Sequence, residues 1–222
     1  MERGFAEVLA SWDRASRSGR PSRIGIMGGT FDPIHYGHLA CAEQAREALA
    51  LDGVLFMPAG NPAFKQDRSV TDSADRVALC RLAVEDNLAF AVSTLETDRP
   101  GITYAVDTLE QLRALYPSST ELVFIAGADA VATLPRWRDA DRLARLCCFG
   151  AATRPGYELS SQLLDELASQ GFRITPFAVT PLDISSSLLR SRAKQGKTLR
   201  YLTPEAVSVY IDEHGLYRED VA

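Results

Sequence analysis

Short apolar runs alternate with longer segments of helical periodicity along most of the 222-residue chain. The apolar runs predict buried strands at residues 23–28, 54–58, 89–94, 121–126, 146–151 and 172–177. Between them, apolar positions recur with the period of a helix at residues 37–51, 73–87, 104–116 and 160–170. Strands that alternate with helices form βαβ units, so the sequence predicts a parallel sheet covered by helices on both faces.

The C-terminal part departs from this alternation, because two helices are predicted at residues 185–195 and 203–214 with no strand between them. For the second helix, Thr203 is a suitable N-cap, Pro204 suits the first helical position, and Gly215 follows the end. We therefore expect an α/β fold: a Rossmann-like, doubly wound parallel sheet with a small C-terminal helical cap.

Residues 1–22 precede the first strand and are predicted to be an N-terminal extension, with residues 23–222 forming the main domain. The extension is expected to be helical, since four of its apolar side chains recur at helical spacing: Phe5, Val8, Leu9 and Trp12. A single apolar face of this kind packs on the body of the protein in the simpler interpretation and binds a partner in the alternative one.

Composition narrows the class of protein. Apolar residues make up 46% and charged residues 24% of the chain, which is ordinary for a globular protein. The net charge of −5 does not favour a nucleic-acid partner. The longest stretch without a charged residue, 53–64, is far shorter than a membrane span, and the N-terminus lacks the apolar core of a signal peptide. The four cysteines form no Cys-x-x-Cys pair, which is typical of free thiols in the cytoplasm.

The loop after the first strand, residues 28–38, has the sequence Gly-Gly-Thr-Phe-Asp-Pro-Ile-His-Tyr-Gly-His. It is neither a Walker A loop nor a Gly-x-Gly-x-x-Gly fingerprint. Two of the three histidines of the chain, His35 and His38, lie here and would project from one side of an opening helical turn. Each could instead cap a helix, fill a core position or form half of a metal site. A metal site is disfavoured, because no third ligand is suitably spaced.

A second group lies at the start of the predicted helix 185–195, where Ser185, Ser186 and Ser187 are followed by Arg190. A helix N-terminus presents unpaired N–H groups and a positive dipole end, and an arginine fork fits phosphate oxygens. These residues therefore suit a polyphosphate. The simpler alternative is a serine N-cap with a surface arginine.

Together the two groups resemble the nucleotidylyltransferase superfamily, with its His-x-Gly-His and Ile-Ser-Ser-x-x-x-Arg-type motifs, and most closely the bacterial nicotinate-mononucleotide adenylyltransferases. Further similar segments lie at residues 99–109, 124–137 and 201–217, so the resemblance covers roughly residues 23–218. The chain departs from the family pattern in two places. Phe64 stands where the family often has histidine before lysine, and Ala105 replaces a usual threonine.

The resemblance implies adenylyl transfer from ATP to nicotinate mononucleotide, giving deamido-NAD and pyrophosphate, a step of NAD biosynthesis. The implied catalytic residues are His35, His38 and Arg190. The implied ATP-binding residues are Gly28, Gly29, Thr30, Gly127, Asp129, Ser185 and Ser186. The implied residues for the acceptor are Lys65, Thr103, Ala105 and Trp137. Mg²⁺ is expected to be carried mainly by the ATP phosphates, with no protein metal site.

Alternatives stay open at this stage. Trp137 could be a core or interface residue, Asp129 a helix N-cap, and Asp32 and Asp107 turn or capping residues. The same chemistry could act on another acceptor, such as nicotinamide mononucleotide or phosphopantetheine, or the chain could be a non-catalytic nucleotide-binding module. Neither a nucleic acid nor a membrane is expected as a partner, and a homo-oligomer is left open.

Overall fold

The computed structural model describes residues 22–62, 70–154, 156 and 159–218. Its main sheet has six strands, all parallel, in the spatial order β3-β2-β1-β4-β5-β6. The strands are β1 (Arg23–Gly29), β2 (Gly53–Pro58), β3 (Phe90–Val92), β4 (Glu121–Gly127), β5 (Cys148–Thr153) and β6 (Ile174–Ala178). This order confirms the predicted doubly wound α/β fold.

Eight α-helices lie in the described part of the chain. They are α1 (Tyr36–Ala48), α2 (Ser73–Val84), α3 (Ala105–Leu115), α4 (Ala128–Val131), α5 (Ala140–Leu146), α6 (Ser161–Ser169), α7 (Ser186–Lys194) and α8 (Glu205–Glu213). A 3-10 helix spans Leu134–Arg136, and two short strands, Asn61–Pro62 and Ile102–Thr103, pair in parallel beside the main sheet. None of the described helices is long and apolar enough to cross a membrane.

Two apolar clusters cover the two faces of the sheet. One joins side chains of β1 and β2 to α1, α2, α7 and α8, for example Phe56, Leu189 and Val207. The other joins alternate side chains of the same strands to α3, α5 and α6, for example Leu55 and Leu109. Because successive strand residues point to opposite faces, each central strand supplies both clusters, which explains its nearly continuous apolar sequence.

Every strand and helix predicted within the described residues is present, with bounds displaced by one to three residues at most ends. The elements between residues 128 and 146 were not predicted, because α4, the 3-10 helix and α5 have only four, three and seven residues, fewer than the roughly 11–18 over which helical periodicity is recognised. As a result residue 146, predicted to begin a strand, is instead the last residue of α5. The predicted N-terminal extension lies outside the described residues, apart from Ser22.

The N-cap of the last helix is also different from the prediction. Pro204 occupies the N-cap position of α8, and Thr203 does not cap it. The buried hydroxyl of Thr203 instead donates to the carbonyl oxygen of Ile34, at 2.9 Å. The backbone N–H of Tyr36 donates in turn to the carbonyl oxygen of Leu202. These two bonds attach the C-terminal cap to the loop between β1 and α1.

Candidate active site

The order of the strands reverses between β1 and β4, and the crevice at this switch point is where doubly wound sheets bind ligands. Glycines end both strands. A side chain at Gly29 would lie 2.8 Å from the ring of Phe31, and one at Gly28 would meet the ring of Phe124 at 3.4 Å. At Gly29, therefore, a side chain would have to displace the Phe31 ring. The main chain of Gly28 remains exposed at the mouth of the crevice.

His35 and His38 lie together at the start of α1. Residue 35 is the N-cap of the helix and residue 38 lies one turn further on, with the two rings stacked at a centroid distance of 3.7 Å. The backbone N–H of His35 donates to Nδ1 of His38 at 3.2 Å. This bond requires an unprotonated Nδ1, so the ring hydrogen of neutral His38 is carried on Nε2. His35 therefore caps α1, as one of the alternatives had it. The bond between its backbone N–H and Nδ1 of His38 fixes the tautomer of His38.

The environment of His35 is different. Its side chain is only 6% exposed, and burial lowers its pKa to about 4. His35 is therefore neutral at physiological pH and offers a single N–H donor.

Gly37 allows this arrangement. A side chain there would lie 3.0 Å from the His35 ring and 3.6 Å from the carbonyl oxygen of Ile184, the residue before the Ser-rich helix start. The missing side chain thus leaves room for the His35 ring, whereas the carbonyl oxygen of Ile184 lies at an ordinary contact distance.

The first turn of α7 is bonded directly to the loop that carries the histidines. Ser186 Oγ donates to the carbonyl oxygen of Pro33 at 2.8 Å, and Arg190 Nη1 donates to that of Asp32 at 2.6 Å. Arg190 also lies 3.9 Å from the Asp32 carboxylate. The two groups found separately in the sequence therefore meet in one place.

The hydroxyls of this turn are not equivalent. Ser185 is the N-cap of α7 and accepts from the N–H of Leu188 at 3.2 Å, which uses a lone pair and not its hydroxyl hydrogen. Ser186 has committed its hydroxyl hydrogen to Pro33. The side chain that suits a phosphate oxygen best is therefore Ser185, together with the N–H groups of the first turn.

Arg76 is an important residue of this region that the sequence analysis missed. It lies on α2, is only 2% exposed, and donates to the carbonyl oxygens of Thr30 and Thr71 at 2.9 Å and of Gly60 at 3.3 Å. It thereby joins the loops that follow β1 and β2. An arginine in an amphipathic helix is normally a surface residue, so the sequence carried no signal for this role.

Asp32 is also buried and has a structural role beneath the histidine loop. Its carboxylate accepts from the hydroxyl of Tyr217 at 2.8 Å and faces Arg190. Asp32 lies in a turn, as the alternative drawn from the sequence has it, and its side chain adds these two contacts. Tyr217 ties the end of the described chain to the site.

The predicted acceptor residues line a separate wall. Thr103 Oγ1 accepts from the N–H of Asn61 at 3.3 Å, and Ala105 is the first residue of α3. Trp137 is half-buried, meets Phe124 edge-on at 5.8 Å, and donates from Nε1 to Thr133 Oγ1 at 3.1 Å. Phe124 therefore links this wall to the end of β1, where its ring faces Gly28. Lys65 and Phe64 lie outside the described residues.

The two remaining acidic residues lie at helix starts. Asp129 is exposed in the first turn of α4, but the N-cap is Gly127, so the capping alternative for Asp129 was wrong. A side chain at Gly127 would lie 2.5 Å from Asp129 Oδ1, so the carboxylate is folded back over the strand end. Asp107 lies in the first turn of α3, 4.0 Å from Arg138.

Comparisons with known proteins agree with this geometry. The model of the cytidylyltransferase-like family matches residues 26–192. A probable nicotinate-nucleotide adenylyltransferase of Desulfitobacterium hafniense is 50% identical over 89% of this chain and 97% of its own length. One of the same description from Thermoanaerobacter sp. is 46% identical over 90% and 97%.

Among solved structures, the nicotinic acid mononucleotide adenylyltransferase of Plasmodium falciparum complexed with NaAD has a TM-score of 0.72 at 19% identity. The aligned region covers 88% of this chain and 97% of that one, which shows that the fold is shared. The resemblance drawn from the motifs is thereby confirmed. The chain belongs to the cytidylyltransferase-like family.

Proposed function

We propose that the protein transfers the adenylyl group of ATP to nicotinate mononucleotide and releases pyrophosphate. A phosphate oxygen of the mononucleotide forms a bond to the α-phosphorus of ATP, and the bond from that phosphorus to the oxygen bridging to the β-phosphate breaks. The products are deamido-NAD and pyrophosphate. The observation that carries the proposal is the direct bonding of the α7 start to the histidine loop at the switch point of the sheet.

The attacking group needs no general base. A phosphate monoester has a second pKa of about 6, so it is largely dianionic near pH 7. The protein has two tasks: to align the two phosphates and to stabilise the charge that develops as the α-phosphorus becomes five-coordinate. Both tasks are met by fixed donors.

His38 is the donor proposed for the α-phosphate. Its Nδ1 is held by the backbone of His35, so its Nε2–H has a defined direction before ATP binds. A preorganised donor at developing negative charge typically lowers the activation barrier by ~3–4 kcal/mol. His35 supports the His38 ring by stacking and, being neutral, offers the phosphates a hydrogen bond without a charge.

The leaving pyrophosphate is proposed to lie at the start of α7. The positive end of the helix dipole, the first-turn N–H groups and the Ser185 hydroxyl would stabilise the negative charge of the pyrophosphate there. Arg190 is fixed beside them through Asp32 and Ser187. Thr30 and the main chain of Gly28 and Gly29 are proposed to contact the phosphates from the β1 side.

Mg²⁺ would fit this site through the nucleotide and not through a protein cage. Among the described residues, no group of three or more His, Cys, Asp or Glu side chains is arranged to hold a metal ion. The cation would be bound mainly by phosphate oxygens and water, and it would supply neutralisation of the triphosphate charge.

The two organic groups are proposed to bind on either side of β4. Asp129 and Gly127, at the end of the strand, suit the adenosine, since a carboxylate there can accept from ribose hydroxyls. Trp137 is proposed to stack on the pyridine ring, with Thr103 and Ala105 beside it and Lys65 near the reacting phosphates. An aromatic wall favours a pyridine nucleotide over phosphopantetheine as the acceptor.

The test is a pyrophosphate-release assay with ATP, Mg²⁺ and each of three acceptors: nicotinate mononucleotide, nicotinamide mononucleotide and phosphopantetheine. We expect the highest kcat/KM with the nicotinate compound, and a reaction without acceptor controls for ATP hydrolysis. Preferential turnover of either other acceptor would change the assigned substrate. Nucleotide binding without pyrophosphate release from any of them would support the non-catalytic binding module instead.

A further inference from the structure

Phe31 has an unusual backbone conformation in the loop that carries the histidines. Its φ is 49°, in the left-handed region that bulky residues rarely occupy, because their Cβ atom crowds the backbone there. Such conformations cost free energy, persist only where the surrounding contacts fix them, and cluster at functional sites. Phe31 has no part in the transfer step described above, so its conformation points to a different role.

The ring of Phe31 is fixed from the side of the sheet. It is only 2% exposed and covers Gly29, where a side chain would lie 2.8 Å from it. It also packs against the ring of Phe56 on β2, at a centroid distance of 5.7 Å, and Phe56 meets Phe90 of β3 at 5.2 Å. A row of three phenyl rings therefore runs from the sheet to the histidine loop, with Phe31 at the end next to the loop.

His38 is the next ring beyond this row. Its centroid lies 5.1 Å from that of Phe31, with an angle of 79° between the planes, which is the edge-to-face geometry that aromatic rings prefer. The ring of His35 stacks on it at 3.7 Å and 28°. The imidazole of His38 thus has one aromatic neighbour nearly parallel to it and a second nearly perpendicular to it.

The direction of the His38 ring decides which atom it presents to a ligand. The outer side-chain torsion of histidine is broad and roughly two-fold, and a half turn would place Cε1 where Nε2 had been. The bond from the backbone N–H of His35 to Nδ1 opposes this turn, but at 3.2 Å it is at the long end of the range for such bonds. The half-buried ring therefore depends also on its packing contacts.

We propose that Phe31 is a positioning residue for catalysis: anchored on Phe56 and Gly29, its ring holds the His38 imidazole so that Nε2–H points at the α-phosphate. The inference rests on the proposed function, which assigns that donor to His38. It assigns to Phe31 no contact of its side chain with substrate.

The kinetic experiment compares Phe31→Leu with Phe90→Leu, the same substitution at the other end of the row of rings. Pyrophosphate release is measured at a temperature at which both variants are folded. We expect Phe31→Leu to lower kcat by about tenfold, with the KM values for ATP and the mononucleotide within about twofold of the wild type, because a misdirected donor costs turnover and not affinity. Phe90→Leu should keep kcat within about twofold of the wild type.

Phe31→Met is measured alongside, since its flexible side chain refills the space if leucine prevents folding. It should show the same loss of kcat, because it also lacks a flat ring. Normal turnover in either Phe31 variant, or an equal loss in Phe90→Leu, would overturn the proposal.

A spectroscopic readout separates positioning from general support of the loop. The chain has three histidines, so the ring nitrogens of His38 can be assigned in 15N-labelled protein by comparison with His38→Ala. In the wild type without ligand, at about pH 8, we expect a protonated Nε2 and an unprotonated Nδ1 with well-separated shifts. In Phe31→Leu the two shifts should approach each other, because a loosened ring populates both tautomers. A lower kcat with unchanged shifts would assign Phe31 to the structure of the loop alone and contradict the proposal.

The double variant gives the sharpest comparison. If Phe31 acts through His38, adding Phe31→Leu to His38→Ala should lower kcat by less than about twofold further. A further tenfold loss in the double variant would show that Phe31 acts independently of His38, against the proposal.

Failure of the proposed function would look different, because the wild type itself would then release no pyrophosphate with any acceptor. The ring-nitrogen shifts would still decide whether Phe31 holds His38, since they are measured without substrate. Shifts that converge in Phe31→Leu and not in Phe90→Leu would support this contact, and shifts that stay as in the wild type would refute it.

Discussion

The two sides of the crevice are built in different ways. On the phosphate side, the loop from Thr30 to His38 accepts hydrogen bonds of 2.9 Å or less from Arg76, Arg190 and Tyr217. On the acceptor side, Trp137 and Arg138 are partly exposed and are held mainly by aromatic contacts. Under the proposed function, the donors for the triphosphate would be fixed in advance, whereas the acceptor would be recognised by partly exposed side chains.

This difference predicts that variants on the phosphate side lose turnover and variants on the acceptor side lose affinity. His38→Ala should lower kcat at least ~100-fold, because it removes a fixed donor at the α-phosphate. Steady-state kinetics measure the loss, and circular dichroism checks the fold. His214→Ala, at an exposed histidine at the end of α8, is the control and should leave kcat unchanged. Near-normal turnover in His38→Ala would remove His38 from the catalytic group.

Trp137→Ala should affect the acceptor side of the crevice. We expect the KM for the mononucleotide to rise about tenfold, corresponding to ~1.4 kcal/mol of lost stacking and apolar contact, with the KM for ATP unchanged. Trp137→Phe should retain most of the affinity. An unchanged KM in the alanine variant would return Trp137 to a purely structural role.

The support beneath the histidine loop should affect stability more than chemistry. Tyr217→Phe removes the hydroxyl that donates to the buried carboxylate of Asp32, so the free energy of unfolding should fall by about 1–2 kcal/mol. Urea denaturation measures this change. Tyr201→Phe, at a side chain that is 80% exposed, should have no effect. Equal stability of the two variants would mean that the Tyr217 bond contributes nothing.

Glu96 is a buried acid beneath the acceptor wall, and its titration should change the stability of the protein with pH without changing kcat. Glu96 accepts from Thr108 of α3, and burial raises its pKa to about 7. Its ordinary value is near 4.5, so between these values the folded state binds more protons than the unfolded state. Stability is therefore lost as the pH rises from about 4.5 to about 7.

Glu96→Gln cannot titrate and still accepts from Thr108, so it should lack this loss. We expect its melting temperature to exceed that of the wild type at pH 8 and the difference to shrink towards pH 5. Melting curves across this range test the prediction. A constant difference at all pH values would show that Glu96 does not titrate as proposed.

The sequence predicted best those features that depend on a local pattern of residues. The apolar runs predicted the six strands. The expectation that the histidine loop and the Ser-rich turn act together came from the resemblance of their motifs to a known family, and the structure shows the two segments bonded to each other. The roles of Arg76 and Thr203 were not predictable, because their bonds join segments far apart in the chain. The hydroxyl hydrogen of Ser186 is likewise committed to Pro33, a partner 153 positions away.

We propose that the histidine loop and the start of α7 bind one triphosphate between them. The most direct measurement is a crystal structure of the protein with a non-hydrolysable ATP analogue and Mg²⁺. We expect the α-phosphate to lie within hydrogen-bond distance of His38 Nε2, and the terminal phosphates to lie at the Ser185 hydroxyl and the first-turn N–H groups of α7. A triphosphate bound away from either element would contradict it.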